Sequence, residues 1–465
     1  MIGYEFEFLV REGDRPLSKK TFEVFHGVLA QRGWTPVFDP GTKGLVGSQK
    51  DGFFVTTDDG VCTMEINTPP RDTINQCHEQ ISPLISELQS IYRSLGCSII
   101  GTSVFPGYYD IKNKGCMKYC VDTQCCNKSY IKYFSPERFA AGHHALYVLA
   151  AHQVWLDVKH TDLIRQWNMF QRLTPVLYAL FSNGPVFNNA SFGVLEGRDV
   201  LWRIMLESSS VDNDEKYFGM TPRPFTTLVE YFEYILGMPF LFGTREGMAY
   251  RLINPEITYR DFFFSQESEA ELFDGTRFIA CPTKNDFLEL QQKTFPHVRI
   301  KYHLRQDASL QEIISALQNR DEHLFFDCFE KVFLECRAIS AQVQSDISSA
   351  PAFLLGIQEN INDVALFTDK QPYSFWQALY SEVAYKGLDA VVQGLKVVDL
   401  AEKLDEISRI GLQKRGFGEE FFLKPIQHRI KKRQNPAQEL LAIWQQGGLE
   451  AIWKARDYCD TVNVL

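Results

Sequence analysis

The sequence predicts an α+β fold in which strands carry inward-facing acids and helices supply most of the remaining core. Three observations carry that expectation. The chain opens on an alternation of apolar and acidic residues, the first third mixes strand and helix periodicities, and the portion from about residue 356 to 465 is patterned mainly as helix. A chain of 465 residues could form one large domain or two to three ordinary ones. No repeat, low-complexity tract or linker interrupts it, so the expectation is a single large domain spanning residues 1–465.

The elements follow in order. Tyr4-Glu5-Phe6-Glu7-Phe8 alternates by side, the period of a strand with one apolar and one acidic face. Val61 to Asn67 reads as a second strand, with Glu65 flanked by apolar residues and Pro69-Pro70 behind it. Residues 74–95 place apolar side chains at helical spacing, Gly96 supplies the stop, and Ser98 to Val104 returns to strand. Asp162 to Phe181 is a long buried helix containing Pro175, ended by Asn183-Gly184-Pro185. Residues 225–243 are rich in aromatics and contribute core. Val332-Phe333-Leu334-Glu335-Cys336-Arg337 is a third acidic strand; its alternation puts Glu335 and Arg337 on one face and Cys336 on the other. Val398 to Lys414 is an amphipathic helix with Gly416 as its C-cap, and Pro436 opens another after Asn435.

Composition excludes several classes. The chain is 45% hydrophobic and 23% charged, within the range of folded globular proteins rather than disordered ones. Its net charge of -10 argues against a general nucleic-acid binder, which needs excess Lys and Arg facing phosphates. The basic run His428 to Arg433 reads as a solvated helix face. No long charge-free stretch suggests a membrane span, and no signal peptide is expected ahead of the first strand. Eleven cysteines without a secretion signal fit reduced thiols, and the expected location is the cytoplasm. The group Cys116, Cys120, Cys125 and Cys126 matches no recognised zinc spacing and reads as ordinary thiols.

Glu5 and Glu7 share one face of the first strand, where adjacent acids repel unless a cation sits between them. A hard divalent cation such as Mg2+ takes carboxylate oxygens and bridges to phosphates. A solvated edge strand is the alternative for Glu5 and Glu7, and a same-face salt bridge on an exposed strand is the alternative for Glu335 and Arg337. Three acidic strands with an Arg beside them favour a phosphoryl-transfer site, where a guanidinium holds the transferring group.

Those residues resemble the glutamate-cysteine ligase superfamily, especially its plant and proteobacterial branch. Ile2-Gly3-Tyr4-Glu5-Phe6-Glu7 resembles the family's I-G-x-E-x-E strand, and Glu65-Ile66-Asn67-Thr68-Pro69-Pro70 its E-L-S-G-A-P segment. Ser182-Asn183-Gly184-Pro185 is similar to A-N-S-P, and Leu195-Glu196-Gly197-Arg198-Asp199-Val200-Leu201-Trp202 to L-S-x-R-x-x-I-W. Phe333-Leu334-Glu335-Cys336-Arg337 resembles Y-L-E-M-R, and Pro351-Ala352-Phe353-Leu354-Leu355-Gly356 resembles P-A-F-W-V-G at similar spacing. The resemblance extends to Arg415-Gly416, Phe422-Leu423 and Asn435-Pro436-Ala437, so it spans nearly the whole chain.

The resemblance implies a glutamine-synthetase-like fold: a curved, largely antiparallel sheet with metals on its concave face, backed by helices. It implies an ATP-dependent carboxylate-amine ligase acting on small amino-acid substrates, most simply glutamate and cysteine, through an acyl phosphate. By the match, Glu5, Glu7, Glu65 and Glu335 take Mg2+, with Asp59 as a further metal candidate. Arg337 takes the transferring phosphate, Arg198 substrate or phosphate, and His144 the nucleotide.

Departures from the pattern leave alternatives open. Laying Gly142 to Leu146 on the family's G-x-H-x-[HN] strand puts apolar Leu146 where a polar ligand is usual. Glu196 replaces a serine, and the charged residues expected after Trp202 are not evident in Arg203 to Ser210. Phe295-Pro296-His297-Val298-Arg299-Ile300-Lys301 resembles the F-P-x-V-R-L-K run that normally leads straight into Y-L-E-M-R. Here residues 302–332 intervene, an insertion expected to reshape acceptor access. A ligase with another acid or amine, and an inactive relative that binds nucleotide or a partner, are the two alternatives.

Overall fold

The computed structural model describes residues 2–58, 60–109, 146–207, 218–265 and 267–458. Its centre is a ten-stranded sheet in which every pairing is antiparallel. The strands are β1 (Ile2–Glu12), β2 (Arg15–Pro16), β3 (Thr35–Phe38), β4 (Leu45–Lys50) and β5 (Phe53–Thr57), followed by β6 (Thr63–Asn67), β7 (Cys97–Ile100), β8 (Ala151–Asp157), β9 (Val298–Leu304) and β10 (Phe329–Ser340). Their order across the sheet is β9-β10-β8-β1-β6-β5-β4-β3, with β2 and β7 each pairing with β1. The expected α+β chain, a large antiparallel sheet backed by helices, is therefore found.

Strand alternation divides the sheet into two faces. Tyr4, Phe6, Phe8, Val154, Leu156, Val298, Ile300, Leu334 and Cys336 are buried in one continuous apolar core. Phe25 stacks on Tyr92 at 3.9 Å between ring centroids, joining helix Lys19–Gln31 to helix Ile74–Ser94. The Trp167 indole of helix Leu163–Phe181 donates to the Val298 carbonyl at 2.8 Å, fixing that helix to β9. Cys336 belongs to this core, as alternation requires of a residue between Glu335 and Arg337.

Helix boundaries follow local chemistry. Thr73 and Gln76 form a capping box for helix Ile74–Ser94, and Gly96 beyond its end has φ +76°. Gly416 caps helix Val397–Arg415 in the left-handed conformation, and Asn435 with Gln438 boxes helix Pro436–Arg456. Helix Ser349–Glu359 carries Pro351 to Gly356 and crosses helix Val397–Arg415 closely. A Cβ added at Gly411 would lie 2.0 Å from the Gly356 carbonyl oxygen, so only glycine fits.

Three expectations change in detail. Of the strand laid over residues 142–146, only Leu146 is among the described residues; it is buried in a short turn, and β8 begins at Ala151. Arg429, inside the basic run, is buried and pairs with Asp346 at 2.6 Å, whereas His428, Lys431 and Lys432 are exposed. Residues 302–332 complete β9, form helices Leu310–Asn319 and Glu322–Asp327, and begin β10. Phe325 of this segment packs on Phe232 and Phe329, and Phe232 in turn meets Tyr302. These contacts lie on the apolar side, away from the carboxylates. Among the described residues no helix is long and apolar enough to cross a membrane. The four cysteines 116, 120, 125 and 126 lie outside the described residues.

Candidate active site

The opposite face of the sheet collects the acids. Register places Glu7 of β1 directly across from Glu65 of β6, and Glu5 across from Gln153 of β8. On the next strands Glu335 of β10 sits opposite Arg299 of β9. Antiparallel pairing thus converts spacing along five separate strands into neighbours on one surface.

Gln153 joins the groups. Its amide nitrogen donates to Glu5 Oε1 and to Glu7 Oε1, each at 2.6 Å, while its carbonyl oxygen accepts from Arg337 Nη1. Glu7 Oε2 also accepts from the Ala151 backbone N–H at 2.6 Å. Glu335 is fully buried, and its Oε2 accepts from Arg299 Nε at 2.5 Å and Arg337 Nη1 at 3.1 Å. Lys301 Nζ lies 3.5 Å from Glu335 Oε1, an oxygen that accepts no hydrogen bond.

Two electrostatic regimes coexist within this surface. Burial, then the charges of Glu65 and Glu335, push Glu5 up to about 8 against the pull of Lys301 and Arg337. Burial, then Asp58, Glu5 and Glu65, raise Glu7 well above the ordinary carboxylate range. Burial alone would also raise Glu335, but Arg299, Lys301 and Arg337 outweigh it and hold its carboxyl low. Burial and the neighbouring Arg299 bring Lys301 down to about 8.

A cleft of about 520 Å3, its open mouth included, adjoins the acids. Glu7, Asp58, Arg198, His297 and Arg337 supply its polar lining, and Leu146, Trp202, Phe218 and Phe295 part of its apolar wall. Arg198, at the first turn of helix Gly197–Glu207, donates to the carbonyls of Arg337 at 3.0 Å and Ile339 at 3.4 Å. Its Nε lies 3.9 Å from Glu196 Oε1, while Ser340 donates to Glu196 Oε2. Burial raises the Glu196 carboxyl, opposed by Arg198.

At the cleft wall His297 belongs to a second polar cluster. Tyr178 and Tyr380 each donate to one oxygen of Asp199, and the two phenol oxygens flank His297 Nε2 at 2.8 and 2.7 Å. Neither His297 nor Asp199 stood out in the sequence beyond its place in a motif. Gln153, Arg299 and Lys301 were likewise not singled out for the site; two cations at alternate positions are the signal that could have found Arg299 and Lys301.

The structure brings Glu5, Glu7, Glu65, Glu335, Arg337 and, one strand end away, Arg198 to the same region. His144 and Asp59 lie outside the described residues. The acids fit a hard divalent cation by donor type, by the buried Oε1 of Glu335 and by like-charge crowding around Glu5. Among the described residues no three His, Cys, Asp or Glu side chains already close around one point, so the acids must turn to share an ion.

The family model described as "Glutamate-cysteine ligase family 2 (GCS2)" matches residues 1–455. The chain is 22% identical over 454 residues to the chloroplastic glutamate-cysteine ligase of Nicotiana tabacum, covering 95% of this chain and 74% of that one. It is 22% identical over 458 residues to chloroplastic glutamate-cysteine ligase A of Oryza sativa subsp. indica, covering 96% and 81%. Among solved structures, a glutamate-cysteine ligase from Francisella tularensis in complex with AMP aligns at TM-score 0.45 and 12% identity, covering 99% of this chain and 90% of that chain. A bifunctional glutathione synthetase from Pasteurella multocida aligns at TM-score 0.45 and 13% identity; the chain covers 51% of its length.

Proposed function

The chain belongs to glutamate-cysteine ligase family 2, and on that premise we propose that it uses Mg-ATP to activate the γ-carboxylate of glutamate and joins it to the amine of cysteine. The observation that carries this reading is the constellation of Glu5, Glu7, Glu65 and Glu335 with Arg299, Lys301 and Arg337, linked through Gln153 on one sheet face. Carboxylate is a poor electrophile, so phosphorylation supplies a leaving group and the protein contributes position and charge neutralisation.

Glu5, Glu7, Glu65 and the unbonded Oε1 of Glu335 would hold Mg2+. When bound, Mg2+ supplies charge neutralisation at phosphate oxygens. Arg337 is oriented by Gln153 and Glu335 and offers the rest of its guanidinium to the transferring phosphoryl group. Arg299 and Lys301 add positive charge on the same flank, while Glu335 keeps the three cations from repelling one another. Arg198 sits where it can orient substrate at the cleft. The assignments of His144 to nucleotide and Asp59 to metal rest on the resemblance alone.

One observation favours a second reading, a ligase for another acid or amine. Glu196 stands where the family pattern has serine and occupies Arg198 from inside the fold, which reduces that guanidinium's availability to a substrate carboxylate. The deciding experiment measures phosphate release from Mg-ATP and glutamate with cysteine and other amines, identifying products by mass. Cysteine-dependent release with γ-glutamylcysteine as product supports the main reading. Dependence on another amine supports the second, and nucleotide binding without release under any pair would overturn both in favour of an inactive relative.

A further inference from the structure

We infer that His297 is the base that takes the proton of the attacking amine, with Asp199, Tyr178 and Tyr380 fixing the imidazole tautomer that leaves Nδ1 ready to accept it. The assignment rests on the acyl-transfer reading above and deepens it.

Hydrogen counting leads there. Each phenol has one proton, and Tyr178 and Tyr380 give theirs to the two oxygens of Asp199. Their oxygens are therefore left as acceptors toward His297 Nε2, at 2.8 and 2.7 Å, so Nε2 carries the hydrogen. In the neutral ring the lone pair then resides on Nδ1. No hydrogen bond joins Nδ1 to any other described residue, and it is not among the unbonded polar atoms sealed from solvent. His297 lines the cleft, and the assignment takes that lone pair as the one facing the incoming amine.

The surroundings suit a ring that must be neutral before the proton arrives and tolerated afterwards. Burial, with Arg198 and Arg203 nearby, lowers the imidazole's affinity for a proton, while Asp199 raises it. Asp199 Oδ1 lies 3.7 Å from Nε2, close enough to support the imidazolium once formed. The cluster is also tightly built. Gly219 has φ +76°, and a Cβ there would meet Tyr380 Oη at 2.9 Å and His297 Nε2 at 3.3 Å.

The step balances. An ammonium gives one proton to Nδ1 and becomes a nucleophilic amine; its nitrogen bonds to the acyl carbon as the carbon–oxygen bond to phosphate breaks. The phosphate departs with that electron pair and takes the second amine proton, and the imidazolium later releases its proton to solvent.

The test compares cysteine with hydroxylamine, whose nitrogen is largely unprotonated at neutral pH and needs no base. His297→Gln should lower the cysteine-dependent rate roughly 100-fold at neutral pH. It should keep most of the glutamate hydroxamate rate, and the lost rate should return as pH rises and free amine accumulates. The surviving hydroxamate reaction also reports a folded enzyme. His297→Asn should give the same split. Equal loss of both rates in the two variants, or a preserved cysteine rate in His297→Gln alongside its loss in Asp58→Asn, would overturn the assignment. A wild-type enzyme that forms no hydroxamate from Mg-ATP, glutamate and hydroxylamine would overturn the acyl-transfer reading itself, and the base with it.

Discussion

The two faces of the central sheet use the same strands for opposite ends. On the apolar face Phe6 and Phe8 pack around His152 at 4.8 and 5.3 Å between ring centroids, and burial brings that histidine down to about 3. On the acid face Glu7 and Glu335 are both buried, yet one is crowded by acids and the other by cations. Burying apolar rings stabilises the fold directly, whereas burying carboxylates costs free energy unless a counter-charge shares the site. The first face holds the protein together; the second carries the acids and cations of the proposed site.

The largest expected effect breaks the acid face. Glu335→Gln should lower ligase turnover roughly 1000-fold, in the range seen when a group that stabilises transition-state charge is lost. It should also destabilise the fold, because Arg299 and Lys301 remain buried, and Arg337 half-buried, without their anion. Steady-state kinetics and chemical denaturation check the two parts; unchanged turnover would remove Glu335 from the mechanism.

The apolar face should respond in stability alone. Phe6 is fully buried, so Phe6→Ala should cost roughly 3 to 5 kcal/mol of unfolding free energy. Its turnover per folded molecule should stay near that of the wild type. A loss of turnover without a loss of stability would show that the two faces are not independent.

A smaller effect sharpens the contrast through pH. Glu5 titrates at about 8 in the fold against an ordinary 4.5, a raised value. A group of this sign contributes stability that is fully present below 4.5 and is lost as pH rises through about 8. Metal-free wild type should therefore melt lower above that range than below it, and Glu5→Gln should remove part of this decline. Mg2+ should raise the melting temperature most at high pH, and much less in Glu5→Gln. Thermal melts with chelator and with Mg2+ decide it; a Mg2+ effect independent of pH would count against Glu5 as a ligand.

Much of this arrangement was legible along the chain. Alternation located both faces of β1 and β10 and turned Cys336 away from Glu335 and Arg337. Capping residues placed the helix ends at Gly96, Gly416 and Asn435. What could not be read was which strand lies between the acidic ones. Nothing local marks β8 as the neighbour of both β1 and β10, so Gln153 was missed although it contacts Glu5, Glu7 and Arg337. The insertion 302–332 was expected to bear on acceptor access, but Phe325 carries it to the apolar side, where aromatic burial outweighs proximity in sequence.

By itself the sequence determined the type of the elements its periodicity marks, the charged side of β1 and β10, and the family motifs that carry the acids. Those properties depend on backbone period and on residues a few positions apart. Only the tertiary structure decided that Glu335 sits among three cations while Glu5 sits among acids, and that His297 meets Asp199 through two tyrosines. Those charge states are set by side chains tens to hundreds of positions away in the chain, and only folding brings them within reach of one another.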